Sequence, residues 1–369
     1  MPAFISPSRL RSICGPLFAA YWRWSRSRRW RCGSSAGGCV RFDGRTVVVT
    51  GAGGFIGSHV VERLIAEGAR VRALLRYTSR GQHGWLDALD GAAIDRTDIT
   101  LGDVRDFDAV REVMRGADAV FHLAALIGIP YSYEHPQEVI DTNIIGTTNV
   151  LLAARELGGV ERVVLTSTSE VYGSAVRVPM DEQHPLQAQS PYSATKIAAD
   201  ALGLSFYRSF GLPVTIVRPF NAYGPRQSAR AVIPTIISQA LAGATLRLGA
   251  LDTTRDFTFV EDTARGFVAV GAADAALGEV VNLGSGSEVS IREIVAKVAG
   301  IVGRELPVEG DQQRMRPAKS EVARLHSDSS KALRLAGWRP EVPLDEGLRR
   351  TTAWIEAHMD QFRPREYAV

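Results

Sequence analysis

A tyrosine and a lysine four residues apart are the side chains best suited to chemistry in this sequence. Tyr192 and Lys196 stand in the segment Tyr-Ser-Ala-Thr-Lys, so a helix would place the phenol and the ammonium one turn apart on one face. A tyrosine with its usual pKa of about 10 is a poor base, and a neighbouring cation lowers that pKa by favouring the phenolate. Thr168 precedes the tyrosine by 24 residues, at the end of a predicted strand, where parallel sheets place their reactive groups. The spacing predicts that Tyr192 is a catalytic base beside Lys196.

A glycine-rich turn near the start of the predicted fold is suited to holding a pyrophosphate. The segment Thr-Gly-Ala-Gly-Gly-Phe-Ile-Gly has glycines at Gly51, Gly54 and Gly57, which permit a tight turn and close backbone approach. It lies between a predicted strand and a helix, whose free N–H groups and positive dipole end favour an anion. Because Ser58 follows the last glycine, where a nucleoside triphosphate loop would carry lysine, the turn predicts a dinucleotide site.

The end of the second predicted strand bears on which dinucleotide binds. The acidic residue that usually meets the adenosine ribose, about 20 residues after the glycines, is missing, and the chain reads Leu-Leu-Arg-Tyr there. Arg76 could meet a 2′-phosphate, which would favour NADP, or could be a solvated strand end. We expect NAD, with NADP as the alternative.

These groups need a scaffold, and the chain from Arg45 onward alternates short β-branched runs with helical stretches. Strands are predicted at 46–50, 70–75, 99–101, 119–123, 162–167 and 214–218, with helices at 56–67, 141–157 and 192–210. Because the strands are apolar throughout rather than alternating, the pattern predicts an α/β fold with a doubly wound parallel sheet. A capping box from Ser290 to Glu293 predicts the start of a later helix, which ends at about Val302. The pattern over residues 343–359 predicts a final amphipathic helix.

Charge is distributed unevenly along the chain. Lys and Arg number 43 against 40 Asp and Glu, a net charge of +3, but residues 1–42 hold eight arginines and no acid. The body is therefore mildly acidic, which argues against nucleic-acid binding. Without an obvious period or a small-residue cleavage site, residues 1–43 predict a basic disordered leader rather than an export signal. A transit peptide, or a true start near Val40, is the alternative.

The three cysteines, Cys14, Cys32 and Cys39, all lie in this leader. The pattern excludes a disulfide framework or a cysteine zinc site in the body, and it is typical of a reducing compartment. No run of 18 apolar residues occurs, so we expect no membrane span. No His-Glu-x-x-His or comparable cluster exists, so we expect no metal. From the cysteine pattern and the missing membrane span, we expect a cytoplasmic protein.

Several motifs together carry a resemblance to a known family. Besides the glycine turn and the Tyr/Lys pair, they are Gly-Asp-Val at 102–104, Phe-His-Leu-Ala-Ala at 121–125, Thr-Ser-Thr-Ser-Glu-Val-Tyr-Gly at 166–173 and Arg-Pro-Phe-Asn-Ala-Tyr-Gly-Pro at 218–225. In this order, across 45–357, the chain resembles the extended short-chain dehydrogenase/reductase family. Segments 130–133, 205–210 and 227–234 make it most similar to nucleotide-sugar 4,6-dehydratases of the legionaminic-acid-pathway type.

The resemblance implies a Rossmann domain and a smaller C-terminal α/β lobe that binds a nucleotide sugar. The expected parts are the leader at 1–43, the Rossmann domain at 44–220 with about 257–283, and the substrate lobe at about 221–256 with 284–369. It also implies a homodimer, with the helices at 141–157 and 192–210 as its bundle.

The resemblance further assigns binding residues. For NAD it implies Gly51, Gly54, Phe55, Ile56, Gly57, Arg76, Asp103, Val104, Leu123, Ala124, Ala125, Asn143, Lys196 and Pro219. For the nucleotide sugar it implies Asn221, Arg230, Val232, Arg255 and Arg316. Among these, Arg255 and Arg316 are expected to clamp the phosphates, and two arginines suit a diphosphate because their guanidinium groups donate in a fixed fork.

The implied reaction assigns the remaining catalytic residues. Tyr192 takes the proton of the sugar C4 hydroxyl while hydride leaves C4 for the nicotinamide, and Thr168 hydrogen-bonds the same oxygen. The resulting 4-ketone makes the C5 proton acidic, Glu170 removes it, and the C6 hydroxyl leaves as water. Hydride then returns to C6. A simple 4-epimerase needs no carboxylate at position 170, so Glu170 is the residue that favours a dehydratase.

Ser169 departs from the pattern of dTDP-glucose dehydratases, which carry an aspartate that protonates the leaving oxygen. Serine is a far weaker acid, so Glu170 or a water would do this here. Ser-Glu also occurs in UDP-glucuronate decarboxylases, although their Asn-Asp-Gly-Arg-Val segment is missing. We therefore expect a 4,6-dehydratase acting on UDP- or GDP-N-acetylglucosamine. A decarboxylase comes second, a 4-epimerase third, and a non-catalytic dinucleotide sensor is the remote alternative.

Overall fold

The structure of the chain is a computed structural model that describes residues 38–79, 81–89, 91–315, 317, 319–364 and 366. Most of the predicted leader and Arg316 lie outside these residues. The strands are β1 (Thr46–Thr50), β2 (Arg70–Leu75), β3 (Thr97–Leu101), β4 (Ala119–His122), β5 (Arg162–Thr166), β6 (Val214–Pro219), β7 (Asn221–Tyr223), β8 (Leu246–Leu248), β9 (Thr254–Arg255), β10 (Phe257–Phe259), β11 (Val280–Leu283), β12 (Val289–Ser290) and β13 (Val308–Gly310).

Helices alternate with the strands through the first two thirds of the described chain and then predominate. They are α1 (Phe55–Ala66), α2 (Gly91–Ile94), α3 (Phe107–Met114), α4 (Ile129–Glu134), α5 (Pro136–Ile140), α6 (Gly146–Leu157), α7 (Pro191–Phe210), α8 (Val232–Leu241), α9 (Val260–Ala272), α10 (Ile291–Val302), α11 (Ser330–Ala336) and α12 (Leu344–Ala357). Short 3-10 turns at Gly84–Ala88 and Ser169–Tyr172 stand beside the site described below.

Seven strands form one sheet in the order β11-β6-β5-β4-β1-β2-β3, and every pairing in it is parallel. β1 lies between β2 and β4, with Val47 opposite both Val71 and Ala119. The chain therefore winds outward in both directions from β1, and the point where the strand order reverses is where such sheets bind ligands. The predicted doubly wound Rossmann fold is confirmed.

A second hydrophobic cluster supports the C-terminal lobe. The sheet and its helices bury the first cluster, which includes Val48, Val120 and Val163. The second is built largely from α8, α10 and α12, with Ile236 and Ile294 fully buried. Three two-stranded pairs, β7 with β10, β8 with β13 and β9 with β12, complete this lobe. The predicted boundaries between the two lobes stay a prediction.

The helix predicted at 141–157 begins earlier and is irregular. Pro136 stands in the first turn of α5, and a π-helical turn at Asp141–Ile145 joins α5 to α6. A π turn inserts an extra residue into the helical repeat and often marks a functional site. Here it turns Asn143 inward, and that side chain is fully buried.

The last residues of the predicted leader pack against the body. The Val40 N–H donates to the carbonyl oxygen of Ala272 over 2.9 Å, and Cys39 forms a β-bridge with Ala273. The Phe42 ring is 3% exposed and meets the Phe121 ring edge-on at 5.6 Å between centroids. Burial of an aromatic ring against the sheet explains why residues 38–43 belong to the folded chain, so the leader boundary predicted at 43 was placed too late.

Helix α9 approaches the sheet so closely that Gly271 leaves no room for a methyl group. A Cβ at this position would lie 2.8 Å from Val164 Cγ2 and 2.9 Å from the Phe121 ring, whereas one at Gly300, exposed on α10, would meet nothing within 4 Å. Gly271→Ala should lower the free energy of unfolding by about 1–3 kcal/mol through overpacking. Gly300→Ala should raise it by about 0.5–1 kcal/mol because alanine favours helix. Urea unfolding of both variants measures this, and equal effects would contradict the close approach.

Candidate active site

A large cavity opens at the carboxyl ends of the parallel strands. Its volume is about 1430 Å³, and residues from the sheet and from the C-terminal lobe line it. The loops after β1, β4 and β5 meet there, at the reversal of strand order. Convergence of these loops is what a parallel sheet imposes, since all its strands end at one edge.

The glycine turn is packed so tightly that side chains could not replace its glycines. Gly51 has a φ of +69°, and a Cβ there would lie 2.7 Å from the Ala124 backbone nitrogen. A Cβ on Gly57 would lie 2.1 Å from the Gly51 carbonyl oxygen. α1 begins directly after this turn, and no side chain caps its N-terminus. The backbone N–H groups of its first turn therefore face the cavity with the positive end of the helix dipole behind them.

Thirteen of the fourteen residues predicted to bind the cofactor line this cavity. They are Gly51, Gly54, Phe55, Ile56, Gly57, Arg76, Asp103, Val104, Leu123, Ala124, Ala125, Lys196 and Pro219. Two of them have polar partners already. Asp103 accepts from Arg105 Nη2 at 2.6 Å, which holds the pKa of that carboxyl below its usual value. Arg76 is largely exposed, 3.9 Å from a Glu138 carboxylate oxygen.

Asn143 is the exception, because it does not line the cavity. Its Oδ1 accepts from the Leu126 backbone N–H at 2.8 Å, and its Nδ2 donates to the Leu126 carbonyl and to Thr195 Oγ1, each over 3.0 Å. The π turn buries the side chain behind the loop that follows β4. Asn143 therefore fixes a cavity-lining loop, and its contact with the cofactor stays a prediction.

Helix α7 carries the predicted tyrosine and lysine. Ser190 caps the helix by accepting from the Ser193 N–H at 3.1 Å, and Pro191 occupies the first turn, so the start of the helix is specified locally. Tyr192 and Lys196 then lie one turn apart, with 7% and 3% of their surfaces exposed, and both line the cavity.

The turn after β5 carries the other three predicted catalytic residues. Thr168, Ser169 and Glu170 all line the cavity, and the Glu170 N–H donates to Thr168 Oγ1 at 3.2 Å. The Thr168 hydroxyl lies near enough to Tyr192 to favour its phenolate, while the charge of Glu170 disfavours it. Ser169 is 2% exposed. The five predicted catalytic residues are therefore brought together on one wall.

The electrostatics of this wall differ from the expectation for Tyr192. Burial raises the pKa of the tyrosine, and the charges of Glu170 and Asp200 raise it further, while only the nearby Thr168 hydroxyl opposes them. The expected lowering by Lys196 is not found. Burial lowers the pKa of Lys196 to about 8, and Asp200 opposes that shift. The spacing of four residues indicates the neighbouring cation, but it does not reveal the loss of water around the phenol, which raises the pKa of Tyr192.

A buried charge pair below Lys196 was missed in the sequence. Asp200, one turn beyond the lysine on α7, accepts on Oδ2 from Arg218 Nε at 3.0 Å, Arg218 Nη2 at 2.8 Å and Ser167 Oγ at 2.9 Å. Arg218 Nη1 also donates to the Tyr172 hydroxyl at 3.0 Å. An acid at the third position of a Tyr-x-x-x-Lys-x-x-x-Asp series was the available signal.

The side of the cavity formed by the C-terminal lobe holds four of the five residues predicted for the substrate: Asn221, Arg230, Val232 and Arg255. Asn221 lines the cavity, and its Oδ1 is buried without a hydrogen-bond partner. Arg255 is 7% exposed and donates to Glu321 Oε1 at 3.1 Å. Arg316 lies outside the described residues, and Arg314, which the sequence analysis did not select, lines the cavity.

A segment after β2 also lines the cavity without having been predicted. The Trp85 N–H donates to the Gly53 carbonyl at 3.0 Å, which fixes residues 82–85 against the glycine turn. The Trp85 ring meets the Trp354 ring of α12 at 5.2 Å between centroids. This contact joins segments that are far apart in the chain, so no local sequence pattern predicts it.

Within the described part of the chain, no group of three His, Cys, Asp or Glu side chains is arranged to hold a metal ion. None of the described helices is both long and apolar enough to cross a membrane.

Comparison with known proteins agrees with the fold and the motifs. Residues 48–351 match the family described as GDP-mannose 4,6 dehydratase. A UDP-glucose 4-epimerase from Mycolicibacterium smegmatis is 36% identical over 316 residues, covering 84% of this chain and 97% of its own length. A UDP-N-acetyl-alpha-D-glucosaminuronate decarboxylase from Bacillus cytotoxicus is 33% identical, covering 84% and 97%.

The solved structure of DesIV, a dTDP-glucose 4,6-dehydratase from Streptomyces venezuelae with NAD and TYD bound, superposes with a TM-score of 0.78. It is 32% identical and covers 86% of this chain and 99% of its own. The relatives thus span three reactions on nucleotide sugars, and the resemblance predicted from the motifs is confirmed. The chain belongs to the family of NAD-dependent nucleotide-sugar epimerases and dehydratases that matches as GDP-mannose 4,6 dehydratase.

Proposed function

We propose that this protein is a nucleotide-sugar 4,6-dehydratase that converts UDP- or GDP-N-acetylglucosamine into a 4-keto-6-deoxy sugar with bound NAD. The observation that carries the proposal is the carboxylate of Glu170, which lines the same cavity wall as Tyr192 and lies near enough to influence its pKa. A base for the C4 hydroxyl and a second base for C5 are what elimination needs and a plain epimerase does not.

The cavity fits NAD at its glycine turn. Gly51 and Gly57 leave space for backbone contact only, and the uncapped N-terminus of α1 suits the pyrophosphate. We assign the thirteen cavity-lining residues above to cofactor binding, with Asp103 at the adenosine end and Lys196 at the nicotinamide ribose. When bound, NAD accepts the hydride from C4 and returns it to C6.

The protein's own groups then handle the protons. Tyr192 takes the C4 hydroxyl proton, and the Thr168 hydroxyl, which lines the same cavity, holds the same sugar oxygen. Glu170 takes the C5 proton of the 4-ketone, the C5 electron pair forms the C5–C6 double bond, and the C6–O bond breaks. The proton on Glu170 then goes to the departing oxygen, which leaves as water, because Ser169 is too weak an acid for this step. When hydride is returned to C6, C5 needs a proton. This is the proton that Tyr192 took from the C4 hydroxyl, passed to C5 through Glu170 or a water, so that both bases are restored.

We assign the substrate diphosphate to the arginines on the side of the cavity that the C-terminal lobe forms. Arg255 is oriented by Glu321, and Arg230 and Arg314 line the same space, so forked donors can meet the phosphate oxygens. Asn221, which lines the same cavity, would contact the sugar diphosphate. Arg316 completes the set by resemblance.

We also propose a cytoplasmic homodimer. Large apolar side chains are exposed on the helical segments expected to form its bundle: Ile145 is 46% exposed, Tyr207 37% and Phe210 53%. Burial of these groups against a second copy would remove apolar surface from water, which favours association.

Removing the phenolic hydroxyl should abolish turnover while leaving the cofactor bound. Tyr192→Phe is expected to lower kcat by about 10²–10⁴-fold, because no other described group replaces its proton transfer. Tyr207→Phe, on the exposed end of the same helix, is the control and should keep full activity. NAD content and product formation are measured together, and undiminished turnover in Tyr192→Phe would disprove the catalytic role.

Replacing the carboxylate should stop elimination specifically. Glu170→Gln is expected to lower formation of the dehydrated product by about 10²–10⁴-fold. Glu134→Gln, an exposed glutamate that lines the same cavity, is the matched control. Mass spectrometry of products from a panel of UDP-, GDP- and dTDP-sugars reads the outcome: loss of water supports a dehydratase, loss of CO₂ a decarboxylase, and unchanged mass with altered retention an epimerase.

The buried charge pair should set the alkaline limit of activity. Lys196 has a pKa of about 8, supported by the charge of Asp200, so it loses its proton as pH rises through that value. Asp200→Asn removes this support and should move the alkaline fall of kcat to lower pH. Ser167→Ala removes a hydrogen bond from Asp200 but keeps the charge, so its profile should stay at the wild-type position. Identical pH profiles for wild type and Asp200→Asn would refute the assignment.

A further inference from the structure

Arg226 has a backbone conformation that ordinary residues avoid. Its φ is +71°, and every other residue with positive φ in the described part of the chain is a glycine. Such a conformation persists where surrounding contacts over-determine it, and these sites cluster at ligand clamps and switch regions. The contacts of this side chain therefore indicate what holds it in place.

The Arg226 guanidinium is bound in a fork to helix α1. Its Nη1 and Nη2 donate to the two carboxylate oxygens of Glu62 at 3.0 and 2.7 Å, and Nη1 also donates to Ser58 Oγ at 3.2 Å. Arg226 is 9% exposed. Two parallel charge-assisted bonds define an orientation as well as a distance, which a single lysine bond would not.

A histidine beside the bridge strengthens the same junction. His59 Nε2 donates to the Pro225 carbonyl at 3.2 Å, and its Nδ1 lies 3.5 Å from Glu62. Burial and the charge of Arg226 lower the pKa of His59 to about 3, so the ring is neutral at physiological pH. The junction therefore has one cation, one carboxylate and a neutral donor.

The two ends of the bridge serve different parts of the cavity. Ser58 and Glu62 lie on the first turns of α1, and the Ser58 N–H donates to the Gly54 carbonyl of the glycine turn at 3.0 Å. On the other side, Arg226 begins a loop whose residues 227–231 all line the cavity next to the proposed substrate arginines. One ion pair thus links the phosphate-binding turn to the substrate loop.

We propose that Arg226 is a positioning residue that couples cofactor binding to the substrate loop. A dinucleotide phosphate held by the first turn of α1 restrains Ser58 and Glu62, and their fork to Arg226 orders residues 227–231 for the nucleotide sugar. By thermodynamic linkage, the nucleotide sugar must tighten dinucleotide binding by the same factor. The inference rests on the proposed function in taking the glycine turn as the NAD site.

Hydrogen–deuterium exchange of the full chain tests the coupling without a substrate. NAD uptake is first confirmed by titration, and exchange is compared between NAD-loaded and NAD-free protein. In the wild type, NAD should slow exchange at 227–231 by about tenfold. In Arg226→Lys and in Glu62→Gln this protection should fall to about twofold or less, with NAD affinity changed by less than about threefold.

Arg111→Lys is the matched control, because Arg111 also bonds a glutamate of another helix, Glu156 at 3.2 Å, but does not line the cavity. It should keep the wild-type protection. Full protection in both Arg226→Lys and Glu62→Gln would overturn the proposal, as would a wild type in which NAD leaves 227–231 unchanged. Thermal melting of each variant confirms that it is folded. Because the two variants change opposite ends of the bridge, either one can test the proposal if the other does not fold.

A second measurement separates this proposal from the proposed function. UDP and GDP are titrated into NAD-loaded and NAD-free protein, and the ratio of the two Kd values should be about five or more in the wild type and near one in Arg226→Lys. If neither diphosphate binds, the nucleotide-sugar substrate class fails, while the exchange experiment still decides the role of Arg226. If NAD itself does not bind, both proposals fail.

Discussion

Burying a charged lysine beside a buried tyrosine is the constraint on which the reactive wall depends. Lys196 is almost fully removed from water, which alone would favour its neutral form. Asp200 opposes this, and Asp200 is itself held by Arg218 from β6 and Ser167 from the end of β5. The charge pair therefore ties α7 to two neighbouring strands. This packing of α7 against the strands places Tyr192 beside the turn that carries Thr168 and Glu170.

Local patterns predicted the elements well, because the signals are local. The strand at 46–50, the helix predicted from Tyr192 and the capping box at Ser290 all depend on a few consecutive residues. The candidate catalytic residues could be selected because each lies at a strand end or helix start, and parallel topology brings those points to one edge. For this reason the wall of five residues followed from the sequence together with the resemblance.

What the sequence did not reveal comes from contacts between distant segments. The ion pair of Arg226 with Glu62 spans 164 residues, and the Asp200 pair depends on two strands meeting one helix. The π turn that buries Asn143 behind the loop after β4 could not be predicted from the sequence either, because it depends on how that loop packs. The pKa of Tyr192 was misjudged for a related reason, since burial belongs to the whole fold and a spacing of four residues says nothing about it.

The packing of residues 38–43 has a practical consequence for N-terminal truncation of the protein. Val40 and Phe42 look like the tail of an arginine-rich extension, yet they bond the end of α9 and cover the Phe121 ring beneath the sheet. A recombinant version started at Arg45, where the first strand begins in the sequence pattern, would uncover an aromatic ring and leave a backbone carbonyl without its donor. Shortened versions that keep Gly38 onward avoid both losses.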